Sequence, residues 1–291
     1  MNIRHLRYFA EIVATGSLRR ASEVLYVTQS ALSRAVAELE SEFGCQLLER
    51  TQRGVTPTRQ GLLLARRAAR ILGDVAALQA ELQAEADQPV GHVRFAMPIG
   101  VRHRLSLPLA RKLRTDYPSI RVDIADGNAH ENRAAVLEGT ADIAVLHELE
   151  RGLPLNYRRL YVDALCLVGP KSAGFRLSKP LPIQALADRP LLQTRAPNQI
   201  RWTVDGALRQ LDLHTPPAME VSSSVLLLDL VEDGHGYTVL PESLVAEAVR
   251  TRGLSAARLG NLKVTWIAAW HKGKTLPRSV KIALDALLAL V

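Results

Sequence analysis

Cysteine is scarce in this chain of 291 residues, and its two cysteines, Cys45 and Cys166, lie far apart in the sequence. Neither belongs to a Cys-x-x-Cys pair or to a Cys/His spacing, which excludes a disulfide framework and the familiar zinc sites. No apolar stretch reaches the length of a membrane span, and the start Met-Asn-Ile-Arg-His contains no apolar signal segment. These absences predict a soluble protein of the reducing cytoplasm with no membrane partner.

The familiar motifs of catalysis are also missing. The sequence has no Gly-x-Ser-x-Gly elbow, no GxxxxGK[ST] phosphate loop and no His-Glu-x-x-His. Gly234-His235-Gly236 precedes a predicted strand instead of following one, so it is not a dinucleotide fingerprint. His147-Glu148 lies at a strand end without a second His nearby. We therefore expect no enzymatic activity, no metal and no cofactor.

Positive charge is concentrated at the N-terminal end of the chain. The formal net charge is +8, and residues 1–70 contain eleven Arg, no Lys and six Glu, a net charge of +5. Such a surplus favours anionic partners, and its concentration in a quarter of the chain is a suitable electrostatic footprint for phosphates. The charge alone does not distinguish nucleic acid from small organic acids.

Residues 17–42 predict two short helices joined by a tight turn at Tyr26-Val27. Ser17 is a suitable N-cap for the first helix and Thr28 for the second. Apolar residues recur at helical spacing in both helices. The predicted buried stripes are Leu18, Ala21, Val24 and Leu25 in the first helix and Ala31, Leu32, Ala35, Val36 and Leu39 in the second.

The other face of the second helix is polar, which is typical of a helix-turn-helix that reads DNA. Its N-terminal residues would then lie nearest the base edges of the major groove. Gln and Arg can contact adenine and guanine, whereas Ser and Thr hydroxyls suit phosphates. The predicted DNA contacts on this helix are Thr28, Gln29, Ser30, Ser33 and Arg34. A helical hairpin with a merely solvated polar face is the alternative, because the glycine usual in this turn is missing.

The flanking segments favour the DNA-binding interpretation. Residues 3–13 predict an amphipathic helix that completes a three-helix core. Residues 47–57 predict a β-hairpin wing with Arg50 and Arg53 near its tip, placed to contact phosphates or the minor groove. Together the segments predict a winged helix-turn-helix.

Thr58 caps a predicted long helix that continues to about Ala86. Apolar residues follow alternating spacings of four and three along it, at Leu64, Ala68, Ile71, Val75, Leu78 and Leu82. A heptad seam of this kind favours a coiled-coil contact with the same helix of a second copy. A single amphipathic helix packed on its own domain is the alternative.

From Gly91 onward, short apolar strands, among them 160–168 and 266–270, alternate with helices, which predicts a parallel sheet with right-handed crossovers. Two successive βα halves, with a return at the end of the chain, predict two lobes and a cleft. We place the first lobe at about 91–162 and 267–291 and the second at about 163–266. The two crossings, near 161–164 and 267–269, would form the hinge.

Four loops that follow predicted strands would face this cleft, where open α/β sheets bind ligands at helix N-termini. The candidate ligand contacts are Pro98, Ile99, Gly100, Arg102, Asn128, Thr194, Arg195, Ser222 and Ser223. The two arginines would suit a carboxylate or another small anion. For the Ser and Asn residues a solvated helix cap is the alternative, and for Arg195 a surface salt bridge.

The run LRYFAEIVATGSLRRASEVLYVTQSALSRAVAELESEFGCQLLERTQRGVTPTRQG, residues 6–61, resembles the N-terminal part of LysR-type transcriptional regulators. LEGTADIAV (137–145) and EDGHGYTVLP (232–241) are similar to segments of that family's effector domain. The resemblance implies an α/β protein with an N-terminal winged helix-turn-helix (1–58), a linker and dimerisation helix (59–87) and an effector-binding domain (88–291). That last domain would be two-lobed, like type 2 periplasmic binding proteins.

The function that the resemblance implies is regulation of transcription. A dimer, or a tetramer built as a dimer of dimers, would bind double-stranded promoter DNA that is partly palindromic. A small-molecule effector in the cleft, for which the basic loops favour an organic anion, would alter the promoter bend and the contact with RNA polymerase. Effector identity, target genes and the choice between activation and repression stay open.

Two other functions are compatible with parts of the sequence. A cytosolic solute-binding or enzymatic α/β protein could use its N-terminal helices only for dimerisation, but the arginine-rich head would then have no explanation. A constitutive regulator with a vestigial cleft is the other alternative.

Overall fold

The computed structural model describes residues 2–51, 54–83, 89–147, 152–196, 198–273 and 275–291. The chain divides into two compact units. The first contains Met1–His92 with Glu138–Thr140, and the second contains Val93–Leu137 with Ala141–Val291. Among the described residues, no helix combines the length and apolar character needed to cross a membrane.

The first unit begins with a winged helix-turn-helix. Its elements are α1 (Ile3–Thr15), α2 (Leu18–Leu25), α3 (Gln29–Phe43), β1 (Leu48–Thr51) and β2 (Gly54–Pro57). The two strands form an antiparallel hairpin, and the helices surround an apolar core that includes Phe9, Ile12 and Leu32. The predicted winged fold is confirmed.

Two residues predicted to lie in the core of this fold are exposed. Successive residues of a helix are rotated by about 100° around its axis. Viewed down α2, Leu18 and Leu25 therefore lie to one side of the fully buried Ala21, whereas Val24 lies to its other side and is 55% exposed. Ala31 is exposed because it lies at the edge of the stripe that Leu32 occupies in α3. Helical spacing identifies a broad face, and only the packed neighbours decide its edges.

The turn between α2 and α3 is made without glycine. The Ser17 and Thr28 side chains accept hydrogen bonds from the amides of Arg20 and Ala31 at 3.4 and 3.2 Å, as expected for N-caps. Tyr26 ends α2 in the left-handed conformation, with φ +54°, a region that glycine enters far more readily. The missing turn glycine is therefore replaced by a backbone conformation that is costly for tyrosine.

The wing is attached to the helices by backbone contacts. The Val55 amide donates to the Gly16 carbonyl at 3.1 Å. Gly54 has φ +135°, and a Cβ atom there would lie 2.5 Å from the same carbonyl oxygen. The Glu40 carboxylate accepts from the amides of Leu47 and Leu48 at 2.7 and 3.2 Å. These contacts make the orientation of the hairpin depend on α1 and α3.

The long helix α4 (Arg59–Gln83) follows the wing, and the Thr58 hydroxyl caps it by accepting from the Gly61 amide at 3.0 Å. Leu64 packs against the apolar core of the winged helix-turn-helix, and Ala68 is fully buried. Farther along, the same seam is half-buried at Val75 and exposed at three positions: 39% at Ile71, 55% at Leu78 and 78% at Leu82. The predicted end near Ala86 lies outside the described residues.

The second unit is an α/β structure. Its strands are β3 (Gly91–Met97), β4 (Ile120–Asp126), β5 (Ile143–His147), β6 (Leu155–Pro170), β7 (Leu192–Thr194), β8 (Met219–Val221), β9 (Thr238–Pro241) and β10 (Leu254–His271). Its helices are α5 (Leu107–Asp116), α6 (Ala129–Glu138), α7 (Gln199–Arg209), α8 (Ser224–Glu232), α9 (Glu242–Thr251) and α10 (Arg278–Leu288).

A six-stranded sheet with the order β4-β3-β5-β10-β6-β9 forms the centre of this unit, and β7 pairs with β8 in a separate two-stranded sheet. β3 is parallel to β5 and β7 is parallel to β8, whereas β10 runs antiparallel to both β5 and β6. The sheet is therefore mixed, because the chain returns through it before the last helix.

The strands β6 and β10 are much longer than predicted. The sequence indicated strands at 160–168 and 266–270, but the two observed strands pair from Leu155 with His271 to Pro170 with Leu254. Register shifts occur between Arg258 and Lys263 and between Trp266 and Ile267. Charged residues and the Gly260-Asn261 pair interrupt the apolar pattern, whereas the backbone ladder continues across the irregularity.

Candidate functional site

The outward face of α3 contains the predicted DNA contacts. Thr28, Gln29, Ser30 and Arg34 are exposed, and Ser33 is half-buried. The hydroxyls of Thr28 and Ser30 lie 3.0 Å apart at the start of the helix. Within the part of the chain that is described, the side chains of Gln29 and Arg34 have no hydrogen-bond or ion-pair partner. Both long polar side chains are therefore available to a partner on this face.

The two arginines predicted at the wing tip, Arg50 and Arg53, lie at the edge of the described residues or beyond it. Arg50 belongs to β1, but its side chain is outside the description. Arg53 lies outside the described residues altogether. Their contacts with DNA remain predictions.

An arginine that the sequence reasoning missed lies on α2. Arg20 is exposed and, among the described residues, has no ion-pair partner, whereas its neighbour Arg19 pairs with Glu23 at 3.1 Å. The first helix of a helix-turn-helix crosses the DNA backbone, so its exposed arginines were a usable signal.

The second unit contains a cavity of about 340 Å³ at the ends of several strands, here called the main cavity. Seven of the nine predicted ligand contacts line it: Pro98, Ile99, Gly100, Asn128, Thr194, Ser222 and Ser223. These residues follow or end β3, β4, β7 and β8. The loops that the topological rule selected are therefore brought together in one place.

The two predicted arginines, Arg102 and Arg195, do not belong to the described lining of the main cavity. Both are exposed, because Arg102 follows the buried Val101 in a helical turn and Arg195 follows the buried Thr194 at the end of a strand. The described lining contains no Arg or Lys, and its acidic member is Asp126. A ligand there meets mainly uncharged groups.

Helix starts supply much of the polar lining. Asn128 caps α6 by accepting from His130 and Glu131 at 2.9 and 3.0 Å, and Asn198 caps α7 in the same way. Ser223 caps α8 by accepting from the Leu226 amide at 3.3 Å. The cap interpretation therefore holds for these side chains, which accept hydrogen bonds from amides in the first turns of their own helices.

Two aromatic rings that the sequence reasoning missed also line the main cavity. The rings of His147 and Trp266 stack with centroids 4.1 Å apart and an interplanar angle of 31°. Burial lowers the pKa of His147 to about 4, and its Nδ1 atom is buried without a hydrogen-bond partner. His147 ends β5, so the strand-end rule could have found it. Trp266 lies inside a long strand, where no local signal marks it.

A polar network lies directly beneath this lining. Asp163 is 4% exposed, and its carboxylate accepts from the Ser243 hydroxyl at 2.6 Å, the Ser243 amide at 3.3 Å and the Trp266 indole at 3.2 Å. The Ser243 oxygen also lies 3.2 Å from the Gly100 carbonyl. These hydrogen bonds join β6, α9 and β10 next to Gly100 and Trp266, which line the main cavity.

Taken together, these sites define a class of protein. A winged helix-turn-helix with an exposed polar face on α3 is joined by a long helix to a two-lobed α/β unit with a cavity at its strand ends. Among the described residues, no cluster of three or more His, Cys, Asp or Glu could hold a metal ion. The class is a DNA-binding protein with a separate ligand-binding domain.

Comparison with known proteins identifies the family. Residues 3–62 match the model for the bacterial regulatory helix-turn-helix protein of the lysR family, and residues 86–291 match the LysR substrate binding domain. The nitrogen assimilation regulatory protein nac of Klebsiella aerogenes is 33% identical over 244 residues, which cover 84% of this chain and 79% of nac. The HTH-type transcriptional regulator CrgA of Neisseria meningitidis serogroup C (strain 8013) is 29% identical over 293 residues, covering 99% and 96%.

Solved structures show the same fold over the whole chain. Full-length CbnR complexed with its target DNA has a TM-score of 0.77 and 23% identity, and all of both chains is covered. CbnR, described as a LysR family transcriptional regulator, has a TM-score of 0.76 and 22% identity, with 100% and 99% covered. The protein belongs to the LysR family: it is a DNA-binding transcriptional regulator with an effector-binding domain.

Proposed function

We propose that the exposed face of α3 reads promoter DNA in the major groove. Gln29 and Arg34 would contact base edges, and Thr28, Ser30 and Ser33 would position the helix on phosphates. Arg50 and Arg53 on the wing would contact phosphates or the minor groove, and Arg20 would contact the backbone beside α2. The observation that supports this best is the exposure of Gln29 and Arg34 without partners among the described residues.

We further propose that two copies pair through α4. The exposed seam at Ile71, Leu78 and Leu82 has apolar side chains that a second α4 would cover. Complete burial of one such side chain contributes about 1.5–3 kcal/mol, so a pair of seams supplies a substantial driving force. Pairing would place two recognition helices on successive half-sites of a cytoplasmic promoter. Two such dimers would form the tetramer. The position of the tetramer on the promoter would then bring it into contact with RNA polymerase.

The main cavity is the proposed effector site, and we assign it no catalysis. The domain limits are those of the sequence prediction, 1–58, 59–87 and 88–291, with lobes at about 91–162 plus 267–291 and at about 163–266. The irregular pairing of β6 with β10 near Trp266 supports a hinge between these lobes. An effector would act only through a higher affinity for one lobe arrangement than for the other.

A gel-shift experiment tests the regulator as a whole. Purified protein is mixed with the DNA upstream of its own gene at two salt concentrations, with and without candidate organic acids. We expect a discrete complex that resists competition by random DNA and weakens with salt, because phosphate contacts release counterions. An acid that shifts the complex identifies the effector class. Binding that never exceeds that of random DNA contradicts the proposed recognition of this promoter.

A further inference from the structure

A second, smaller cavity opens beside the main cavity. This side cavity has a volume of about 170 Å³ and lies between α6 and α7. It has four residues of its own, His130 and Arg133 on α6 and Gln199 and Trp202 on α7. It also shares four residues with the main cavity: Ala129, Leu146, His147 and Asn198. The two spaces are therefore adjacent compartments of one site.

The charged side chains that line the two compartments are of opposite sign. The described lining of the main cavity contains Asp126 and no Arg or Lys, whereas that of the side cavity contains Arg133. A helix N-terminus stabilises an anion by only about 0.3–1 kcal/mol, and the carboxylate of Asp126 opposes that contribution. A guanidinium carries a full charge and five donors, so Arg133 can hold a carboxylate beside any contact that it makes within the protein.

Aromatic groups in each compartment suit an elongated ligand. Trp266 lies in the main cavity with His147 stacked on it, and Trp202, which is 45% exposed, lines the side cavity. Because burial keeps the pKa of His147 at about 4, its ring is uncharged at neutral pH and adds no charge at the boundary. The apolar members of the main lining, such as Ile99 and Leu244, favour an uncharged body.

We propose that the effector is an elongated monoanion whose acid group binds Arg133 in the side cavity while its uncharged body fills the main cavity. This inference rests on the proposed effector role of the main cavity and adds the chemical class and the orientation of the ligand. It assigns the charge recognition to Arg133, a residue that the sequence reasoning did not select, instead of to Arg102 or Arg195.

Paired probes test the assignment. Each acid of a panel, 3-phenylpropanoate, 5-phenylpentanoate and octanoate, is compared with its primary amide, which has nearly the same shape without the charge. Dissociation constants are measured by calorimetry on the full chain, alongside the shift in Tm. For at least one pair we expect the acid to bind about fivefold more tightly than the amide, the ratio of a moderately strong ion pair.

Variants locate the charge that produces this ratio. Arg133→Gln should bring the acid and the amide to similar affinity, and Arg133→Lys should retain most of the preference because it keeps the charge. Arg195→Gln is the matched control, since it removes an exposed arginine outside both described linings, and it should leave the ratio unchanged. Tm without ligand and promoter binding without ligand report whether each variant is folded.

Three results would overturn the proposal: no acid of the panel binds the native chain, the ratio survives Arg133→Gln, or Arg195→Gln abolishes it. The effector role of the main cavity is tested separately with Val225→Phe, which narrows that cavity. If amides bind the native chain and Arg133→Gln equally but are weakened by Val225→Phe, the main cavity still holds the ligand and only the assignment of the acid group fails.

Discussion

Removal of the Ser243 hydroxyl is expected to destabilise the second unit. The hydroxyl donates to the Asp163 carboxylate at 2.6 Å, a short distance typical of a hydrogen bond to a charged acceptor. Asp163 is 4% exposed, so water cannot readily replace the lost donor. The carboxylate would keep its longer contacts with the Ser243 amide, at 3.3 Å, and the Trp266 indole, at 3.2 Å.

The magnitude follows from the kind of bond that is lost. A hydrogen bond to a charged group contributes about 1.5–3 kcal/mol, and an unsatisfied buried acceptor is costly, so Ser243→Ala should reduce the free energy of unfolding by about that amount. Ser243→Thr keeps a hydroxyl and should recover most of the stability. Ser222→Ala is the control, because Ser222 is exposed and should change stability by less than about 0.5 kcal/mol.

Urea unfolding followed by tryptophan fluorescence measures the effect, since the indole of Trp266 belongs to the network. We expect the urea midpoint to fall for Ser243→Ala while the slope of the transition is unchanged, which indicates a change in stability alone. A loss no larger than that of Ser222→Ala would refute the reasoning that this buried carboxylate depends on Ser243.

Three further changes test other parts of the protein. Arg34→Ala should reduce discrimination between promoter and random DNA by about 1–3 kcal/mol in competition gel shifts, while Arg111→Ala, on the exposed surface of α5, should not. Leu78→Lys should shift the protein towards monomers in analytical ultracentrifugation, because it puts a charge on the exposed seam. Leu63→Lys is the control: it changes a leucine off the seam that is 49% exposed, against 55% for Leu78, and it should leave the dimer intact. The free energy of unfolding should fall as pH decreases from 6.5 towards 4. The pKa of His147 is about 4 in the folded protein and 6.5 in the unfolded chain, so the unfolded chain takes up the proton first. His147→Gln should flatten this part of the pH profile.

Each of these expectations has a result that contradicts it. Equal loss of discrimination in the Arg34 and Arg111 variants would indicate a general charge effect instead of base recognition. A dimer that survives Leu78→Lys but not Leu63→Lys would place the pairing face elsewhere on α4. An unchanged pH profile in the His147 variant would mean that other groups determine acid sensitivity.

Much of the architecture could be predicted because its signals are local. Ser17, Thr28 and Thr58 cap the helices that they were expected to cap, since a hydroxyl three residues before a free amide needs no distant partner. The order of strands and helices likewise indicated the loops at Pro98 and Asn128 that line the main cavity. These features depend on residues close together in the chain.

Other features depend on which segments meet. Local helical spacing could not show that Val24 lies outside the packed face of α2, because that is decided by the neighbouring helices. The strand around Trp266 was predicted too short because its continuation depends on pairing with β6 and not on its own apolar pattern. The full length of a strand therefore depends on the neighbouring strand with which its backbone pairs.

By itself, therefore, the sequence determined the class of protein, through its resemblance to the LysR family, and the four loops that line the main cavity, through capping residues, periodicity and strand ends. Only the tertiary structure decided which charged and aromatic side chains adjoin the main cavity. It left Arg102 and Arg195 outside the described lining and brought His147, Trp266 and the adjoining Arg133 together there. The physical reason is that a side chain's direction at a strand or helix end, and the partner it meets across the sheet, depend on packing between segments far apart in the chain.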